Sequence, residues 1–338
     1  MTNLSQIQST ILPELQKLNE RISTHLRTDN ALMNNVIDNF LRVKGKQIRP
    51  ILVILSAKLL GQVNDNVIAS ASAVELLHNA SLIHDDVVDD TKTRRGTTTI
   101  NGLWDNHIAV LVGDFFVSTS LQEAISTGDP RAINAIANLG KLLSLGEIDQ
   151  IYNARFNNLS EDAYFGVINR KTASLFVACV EMGCFAVNAT DRQIQLLSRY
   201  AELLGLCFQI KDDIFDYFDD KKIGKPTGND LREGKITLPL LHVLLTDRSE
   251  PMLKLSQKEL LNEDEIMQLI SYAKAHGGID YAYRRMEQLY AQSVDILAQL
   301  PAGPNRDMFD SLFRYVISRE NESRLAVPRR ISPRANFA

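Results

Sequence analysis

An all-α fold, a single-domain bundle of many helices, is predicted by three features of the chain. First, its 338 residues hold only 17 glycines and 10 prolines, and 45% of them are hydrophobic, with many Leu, Ala and Ile. That composition favours helix and is ample for a large buried core. Second, apolar residues recur at helical spacing along most of the chain, and no stretch alternates convincingly with period two. Third, no linker interrupts residues 1–319, so they are expected to form one domain. Residues 320–338 carry two prolines and four arginines with little apolar content, and a disordered tail is expected there.

The elements follow in order. Ile7, Ile11, Leu15, Leu18 and Ile22 mark a first helix, which Pro13 makes start late or kink. A second runs from about Ala31 to Val43 and is broken by Gly45. Pro50 opens a third, Ile51 to Leu60. After a turn, a long helix spans about Val67 to Asp90. Thr91 to Gly102 reads as a polar loop, Trp104 to Ala124 as a central apolar helix, and Arg131 to Ala154 as another long one carrying Glu147 and Gln150. Ser160-Glu161-Asp162 starts a helix that leads through Arg170-Lys171-Thr172 into an apolar run ending at Val187. Asp191 to Asp216 is one more long helix. Asp219 to Lys235 reads as a mobile loop, with three glycines and a Lys-Pro. Thr237 to Leu245 resumes helix. Asn262 with Glu265 forms a capping pair for the helix ending at Gly277-Gly278, and Ile279 to Gln299 and Asn305 to Arg319 complete the bundle.

Charge and cysteine content exclude several classes. The formal net charge of −4 offers no basic field for nucleic acid. Cys179, Cys184 and Cys207 form no CxxC pair and sit in apolar runs, as free thiols in a reducing compartment do. Met1 to Thr10 lacks the apolar centre of a signal peptide. No apolar run approaches the ~20 residues of a membrane span. A cytoplasmic protein without stable membrane insertion is therefore expected.

The chemistry is concentrated in two acidic motifs. Asp85-Asp86-Val87-Val88-Asp89 closes the long helix that begins near Val67, and Asp212-Asp213-Ile214-Phe215-Asp216 closes the helix from Asp191. At i and i+4, Asp85 and Asp89 share one helical face, with Asp86 about 100° around. Carboxylates this close repel one another, so a helix keeps them in a wet cleft or with bound cations. Hard divalent cations suit such pairs. Mg²⁺ in particular keeps several waters and bridges one or two carboxylates to substrate phosphates. If the two motif helices face each other, cation-loaded carboxylates on both walls make an electropositive clamp for a diphosphate. A di-iron bundle would need Glu-x-x-His on two helices, and only Glu75-Leu76-Leu77-His78 exists. Basic residues cluster at Lys44, Lys46 and Arg49, at Arg94 and Arg95, at Arg170 and Lys171, and at Lys225 and Lys235. Lys46-x-x-Arg49 lies at a helix start, where phosphate is attracted, and arginine suits bidentate phosphate contact.

Six motifs, in this order, resemble the trans-isoprenyl diphosphate synthase (polyprenyl synthetase) family: Gly45-Lys46-Gln47-Ile48-Arg49-Pro50, His84 to Asp89 with Arg94-Arg95-Gly96, Val112-Gly113-Asp114, Arg170-Lys171-Thr172, Gln209 to Asp216, and Gly224-Lys225-Pro226 through Asp230 to Gly234-Lys235. The resemblance extends to about Arg319. It implies an isoprenoid-synthase-type bundle around a central cavity and a prenyltransferase that joins isopentenyl diphosphate to an allylic diphosphate. Asp85, Asp86, Asp89, Asp212, Asp213 and Asp216 match the family's metal ligands, which hold three Mg²⁺. Arg94, Lys171 and Lys235 match contacts to the allylic diphosphate, with Lys225 beside them. Lys46, Arg49, His78 and Arg95 match the isopentenyl diphosphate site. Thr172 and Gln209 match residues beside the developing allylic cation. Family members are usually homodimers, and the helix spanning Trp104 to Leu121 is a candidate interface.

Product length can be read along the helix before Asp85. One turn rises ~5.4 Å, similar to one isoprene unit. Ala80 and Ser81 lie one turn back, Leu77 two, and none is aromatic. Short-chain members of the family place a bulky aromatic residue four or five positions before the first Asp. Ser81 and Ala80 leave that floor open, so a long-chain product, a quinone tail of the hexaprenyl to decaprenyl class, is expected. A deeper floor is expected between Phe115 and Leu121. Three rivals remain in view. A farnesyl or geranylgeranyl synthase is disfavoured by Ser81 and Ala80. A non-catalytic subunit of a heteromeric synthase would have lost an acidic motif. A terpene cyclase would carry an Asn/Ser/Glu triad as its second motif.

Overall fold

The computed structural model describes residues 4–42, 45–94, 96–218 and 227–319. Lys44, Arg95, Lys225, the glycine of the 219–226 segment and the tail 320–338 lie outside them.

The described residues are almost entirely helical. In order come α1 (Leu4–Thr10), α2 (Leu12–His25), α3 (Ala31–Leu41), α4 (Ile48–Leu60) and α5 (Asp65–Val88). A two-residue hairpin, β1 (Thr93–Arg94) against β2 (Thr97–Thr98), leads to α6 (Ile100–Leu103), α7 (Asn106–Ser126), α8 (Pro130–Arg155) and α9 (Glu161–Ile168). A π-turn, Asn169–Ala173, joins α9 to α10 (Ser174–Ala186), followed by α11 (Asp191–Phe215) and α12 (Asn229–Arg232). The chain continues with α13 (Leu238–Asp247), α14 (Glu250–Ser256), α15 (Glu263–Ala275), α16 (Gly278–Leu297) and α17 (Pro304–Ser318).

Local chemistry sets the boundaries. Pro13 sits in the first turn of α2, so the first amphipathic stretch is two helices rather than one. Asn64, Asp105, Ser160 and Thr190 each cap a helix by accepting a backbone N–H. Asn262 and Glu265 form the reciprocal capping box expected of them. Part of the stretch read as a mobile loop is ordered. Residues 227–235 form α12 and its flanks, because Asp216 accepts the Asn229 and Asp230 N–H groups, each at 3.0 Å. The hairpin, α6 and α14 are too short to show periodicity in the sequence.

At the centre α5 and α7 run antiparallel along their whole length. His84 Nε2 lies 3.2 Å from the Val110 carbonyl, Ser120 Oγ donates to the Ala73 carbonyl at 2.7 Å, and Asn66 donates to the Thr127 carbonyl at 3.1 Å. By length and composition α7 could cross a membrane, although no apolar run in the sequence suggested one. Here its Phe116, Ser120 and Glu123 face is buried in the bundle. The helices α4, α10 and α11 pack around this pair, and the core is continuous from Ile7 in α1 to Val316 in α17. A smaller cluster under α12, α13 and α15 centres on Tyr217, Leu240 and Ile270.

The π-turn is held from both sides by helices that approach its backbone. A Cβ on Gly146 of α8 would stand 2.8 Å from the Lys171 amide nitrogen, and one on Gly205 of α11 would stand 2.5 Å from the Ala173 Cα. Both contacts are with backbone or its immediate carbon, which cannot rotate away. Gly205→Ala is therefore expected to lower unfolding stability by about 1–3 kcal/mol through overpacking, measured by urea denaturation. It should also lower kcat, because the strain falls on the segment that carries Lys171 and Thr172.

Candidate active site

The first acidic motif is the C-terminal end of α5. The Asp89 N–H closes the last turn on the Asp85 carbonyl at 2.8 Å, so the two carboxylates share the predicted face. Asp86 points into the loop beyond. Arg94 reaches it with Nε at 2.8 Å and Nη2 at 2.7 Å, and Asn101 donates to its carbonyl at 3.0 Å. The short hairpin thus folds Arg94 back onto the motif. Arg94 spends its charge on Asp86 in this state, rather than standing open for a phosphate.

The second motif closes α11, and each of its carboxylates has a defined neighbour. Asp213 is buried and accepts from Tyr164 OH at 2.6 Å and Gln209 Nε2 at 2.8 Å. Asp216 receives the start of α12, as described above. Asp212 accepts from Arg319 Nη2 at 2.7 Å. Asp230, on α12, has a buried carboxyl beside Asp213 and Asp216.

The π-turn joins these two walls. Thr172 Oγ1 donates to Gln209 Oε1 at 2.7 Å, which extends the chain Thr172–Gln209–Asp213–Tyr164. One residue earlier, Lys171 pairs with Glu147 and lies 3.4 Å from Gln150 Oε1 on α8. Lys171 and Glu147 also act electrostatically on Asp85. A second link comes from Lys235. Its N–H donates to the Asp230 carbonyl at 2.7 Å, while its ammonium stands 4.0 Å from Asp89 Oδ1. Both carboxylate sets therefore border one cleft.

The electrostatics of that cleft are those of excess buried negative charge. Burial pushes the Asp85 carboxyl up to about 6; Lys171 and Arg94 oppose the shift, while Glu147 and Asp89 reinforce it. Burial also raises Asp86, against the hydrogen bond from Arg94. Asp213 and Asp230 are both raised by burial, each reinforced by neighbouring aspartates. Such crowding fits divalent cations. Among the described residues, no three carboxylate, imidazole or thiol groups converge into a ready-made cation cage. A divalent cation such as Mg²⁺ keeps several waters and takes further ligands from substrate phosphate. Asp85, Asp86 and Asp89 on one wall and Asp212, Asp213 and Asp216 on the other would hold it.

Of the residues expected at the second substrate, Lys46 lies just before α4, Arg49 on α4 and His78 on α5. Lys46 donates to Tyr315 OH and lies 5.1 Å over its ring, and Arg49 lies 5.6 Å over the Phe176 ring. His78 is buried on α5.

Residues 30–273 match the polyprenyl synthetase family. The chain is 32% identical to an octaprenyl diphosphate synthase from Haemophilus influenzae, over 92% of this chain and 96% of that protein. The chain belongs to the polyprenyl synthetase family. Among solved structures, a polyprenyl synthase from Caulobacter crescentus CB15, complexed with calcium and isoprenyl diphosphate, superposes with a TM-score of 0.87 at 28% identity, covering 94% of this chain and 99% of that one. A geranylgeranyl pyrophosphate synthase from Bacteroides thetaiotaomicron does so with a TM-score of 0.82 at 37% identity, covering 94% and 100%. The all-α architecture is that of the isoprenoid synthases, and the protein is a trans-prenyltransferase.

Within this polyprenyl synthetase, most of the predicted site is brought together. The six aspartates, Arg94, Lys171, Thr172, Gln209 and Lys235 border the cleft. Arg95 and Lys225 lie outside the described residues. The residues placed along the ruler are less open than expected. Ala80 is fully buried, Leu77 nearly so, and Ser81 is half-buried with its hydroxyl bonded to the His78 carbonyl at 2.8 Å. Phe116 of α7 stands level with this turn, between the His84 and Ala73 contacts. It is fully buried and meets Phe40 edge to face at 5.5 Å.

Sequence reasoning missed Tyr164, Glu147, Gln150, Asn101 and Arg319. Glu147 and Gln150 were noted on their helix but given no role, because their partner Lys171 comes from a distant segment. Tyr164 and Arg319 carried no local signal.

The raised Asp85 carboxyl generates a testable asymmetry. Its folded-state value lies above the ordinary 3.8, at about 6. Its contribution to stability is therefore fully present below pH 3.8 and is lost as pH rises through about 6. In the metal-free protein, Asp85→Asn should raise Tm by roughly 2–6 °C at pH 8. That gain should shrink below pH 6 and vanish near pH 4, as read by thermal unfolding in chelator. Divalent-cation affinity of the wild type should fall as pH drops through about 6.

Proposed function

We propose that this polyprenyl synthetase condenses isopentenyl diphosphate with an allylic diphosphate, farnesyl or similar, head to tail. Its product is a long-chain all-trans polyprenyl diphosphate for a quinone side chain. The observation that carries the reading is the two-walled carboxylate cleft with the π-turn between its walls. When bound, Mg²⁺, three ions by family resemblance, would neutralise the allylic diphosphate and draw it off as a leaving group.

The chain's own residues do the rest. Lys171 and Lys235, held between the walls, add positive charge where the diphosphate leaves. Thr172 donates its hydroxyl hydrogen bond to Gln209 Oε1, so what remains of Oγ1 to face the cleft is lone pairs. Those lone pairs stabilise an allylic cation, and no acidic proton is directed at it. Gln209 cannot turn away, because its amide is fixed at both ends by Thr172 and Asp213. Lys46, Arg49 and His78, on the neighbouring helices, bind isopentenyl diphosphate. Its double bond attacks the cation, and the departing diphosphate takes the proton released. Water must be excluded throughout, or the cation is quenched.

The small side chain at Ser81, where an aromatic floor would stand, supports the long product, as does the similarity to an octaprenyl synthase. The Phe116–Phe40 pair and the similarity to a geranylgeranyl synthase favour a shorter one. We take Ser81 as decisive, because a small residue one turn before Asp85 leaves no aromatic floor next to the chemistry. The enzyme is read as a cytoplasmic homodimer. Exposed apolar side chains on α7 and α8, Leu111 at 60% and Ile148 at 63% among them, supply a face for a second copy.

Product chromatography from farnesyl and isopentenyl diphosphates tests the length. Chains of C30 or longer are expected. Accumulation of only C15 or C20 would show that Phe116 is the floor, and Phe116→Ala would then lengthen the product. Ser81→Phe should shorten the wild-type product to C15–C20, and an unchanged length would place the growing tail elsewhere.

A further inference from the structure

The last turn of α17 touches both halves of the site. Tyr315 lies in that turn and Arg319 is its C-cap, one turn on, with the Arg319 N–H donating to the Tyr315 carbonyl at 2.8 Å. Tyr315 OH holds Lys46. Arg319 Nη2 donates to Asp212 Oδ1 at 2.7 Å and to the Phe208 carbonyl at 2.8 Å. Its guanidinium stacks 3.9 Å from the Phe208 ring centroid and 5.5 Å from that of Phe215. Only 9% of the side chain is exposed, and Nε is buried without a hydrogen-bond partner. This is a built seat. A planar, permanently charged, weakly hydrated group is sandwiched on aromatic rings, and lysine could not replace it in kind.

That seat places a fixed positive charge against one carboxylate of the second motif. A divalent cation binding Asp212 must either bear the repulsion at short range or displace the guanidinium. We propose that Arg319 is a positioning residue that holds the charge of Asp212 before cations load, so that its release from Asp212 is part of assembling the active site. The inference rests on reading Asp212 as a cation ligand. Arg319 then sets the divalent-cation affinity of the substrate-free enzyme. Through Tyr315 and Lys46, the same helix end connects that affinity to the isopentenyl half of the site.

The test is Mn²⁺ titration of the full-length protein without substrates, with free Mn²⁺ read by electron paramagnetic resonance. Arg319→Gln should bind Mn²⁺ roughly tenfold more tightly than the wild type, the effect of losing one competing charge-assisted hydrogen bond. Arg319→Lys, which keeps the charge, should stay closer to the wild type. In an Asp212→Asn background, Arg319→Gln should change nothing further. An unchanged or weakened affinity in Arg319→Gln overturns the proposal, as does an equal gain in Arg319→Lys or an undiminished gain in the Asp212→Asn background. Should the variants fold poorly, the wild type alone decides. Hydrogen exchange in the last turn of α17 should quicken when Mg²⁺ and inorganic diphosphate are added, and unaltered or slower exchange overturns the displacement. If the wild type binds no Mn²⁺ at all, the cation reading of Asp212 fails and this inference fails with it. Equal binding by wild type and Arg319→Gln sinks only the inference.

Discussion

The active site depends on a backbone constraint at Asn169–Ala173. A π-turn puts one extra residue into the helical path, and such turns recur at functional sites because they re-aim side chains that a regular helix would space evenly. Here Lys171 is turned toward Glu147 and the first acidic motif, while Thr172 is turned toward Gln209 and the second. The turn survives because α8 and α11 each present a glycine where they meet it, so neighbouring backbones close around it without side chains between. Remove that closeness and the two walls lose their common post.

Around this post the structure stores negative charge. Asp85, Asp213 and Asp230 are all buried enough for their carboxyls to be raised, and their cationic neighbours do not cancel the cost. A core of this size, running from α1 to α17, tolerates the penalty. Its chemical consequence is that the cleft is under-compensated as it stands, a state that bound divalent cations would relieve. Hydrogen bonds from Tyr164, Gln209 and the α12 backbone orient the second motif meanwhile, so the carboxylates are placed before they are neutralised. Arg94 and Arg319 likewise donate to Asp86 and Asp212.

The sequence by itself determined the helices, their caps and the chemical character of the site. Amphipathic periodicity, capping residues such as Asn262 with Glu265, and two DDxxD motifs are local signals, set by spacing along one helix. They sufficed to single out the six aspartates, whereas Lys171, Thr172 and Gln209 took their roles from the resemblance of six ordered motifs to the family. What only the tertiary structure decided are pairings between segments far apart in the chain. Tyr164 with Asp213, Lys171 with Glu147, Arg319 with Asp212 and Phe116 beside the Leu77–Ala80 turn have no shared local pattern. The π-turn was equally hidden, since nothing in Asn-Arg-Lys-Thr-Ala marks an extra residue. It exists because Gly146 and Gly205, on two other helices, leave room for it.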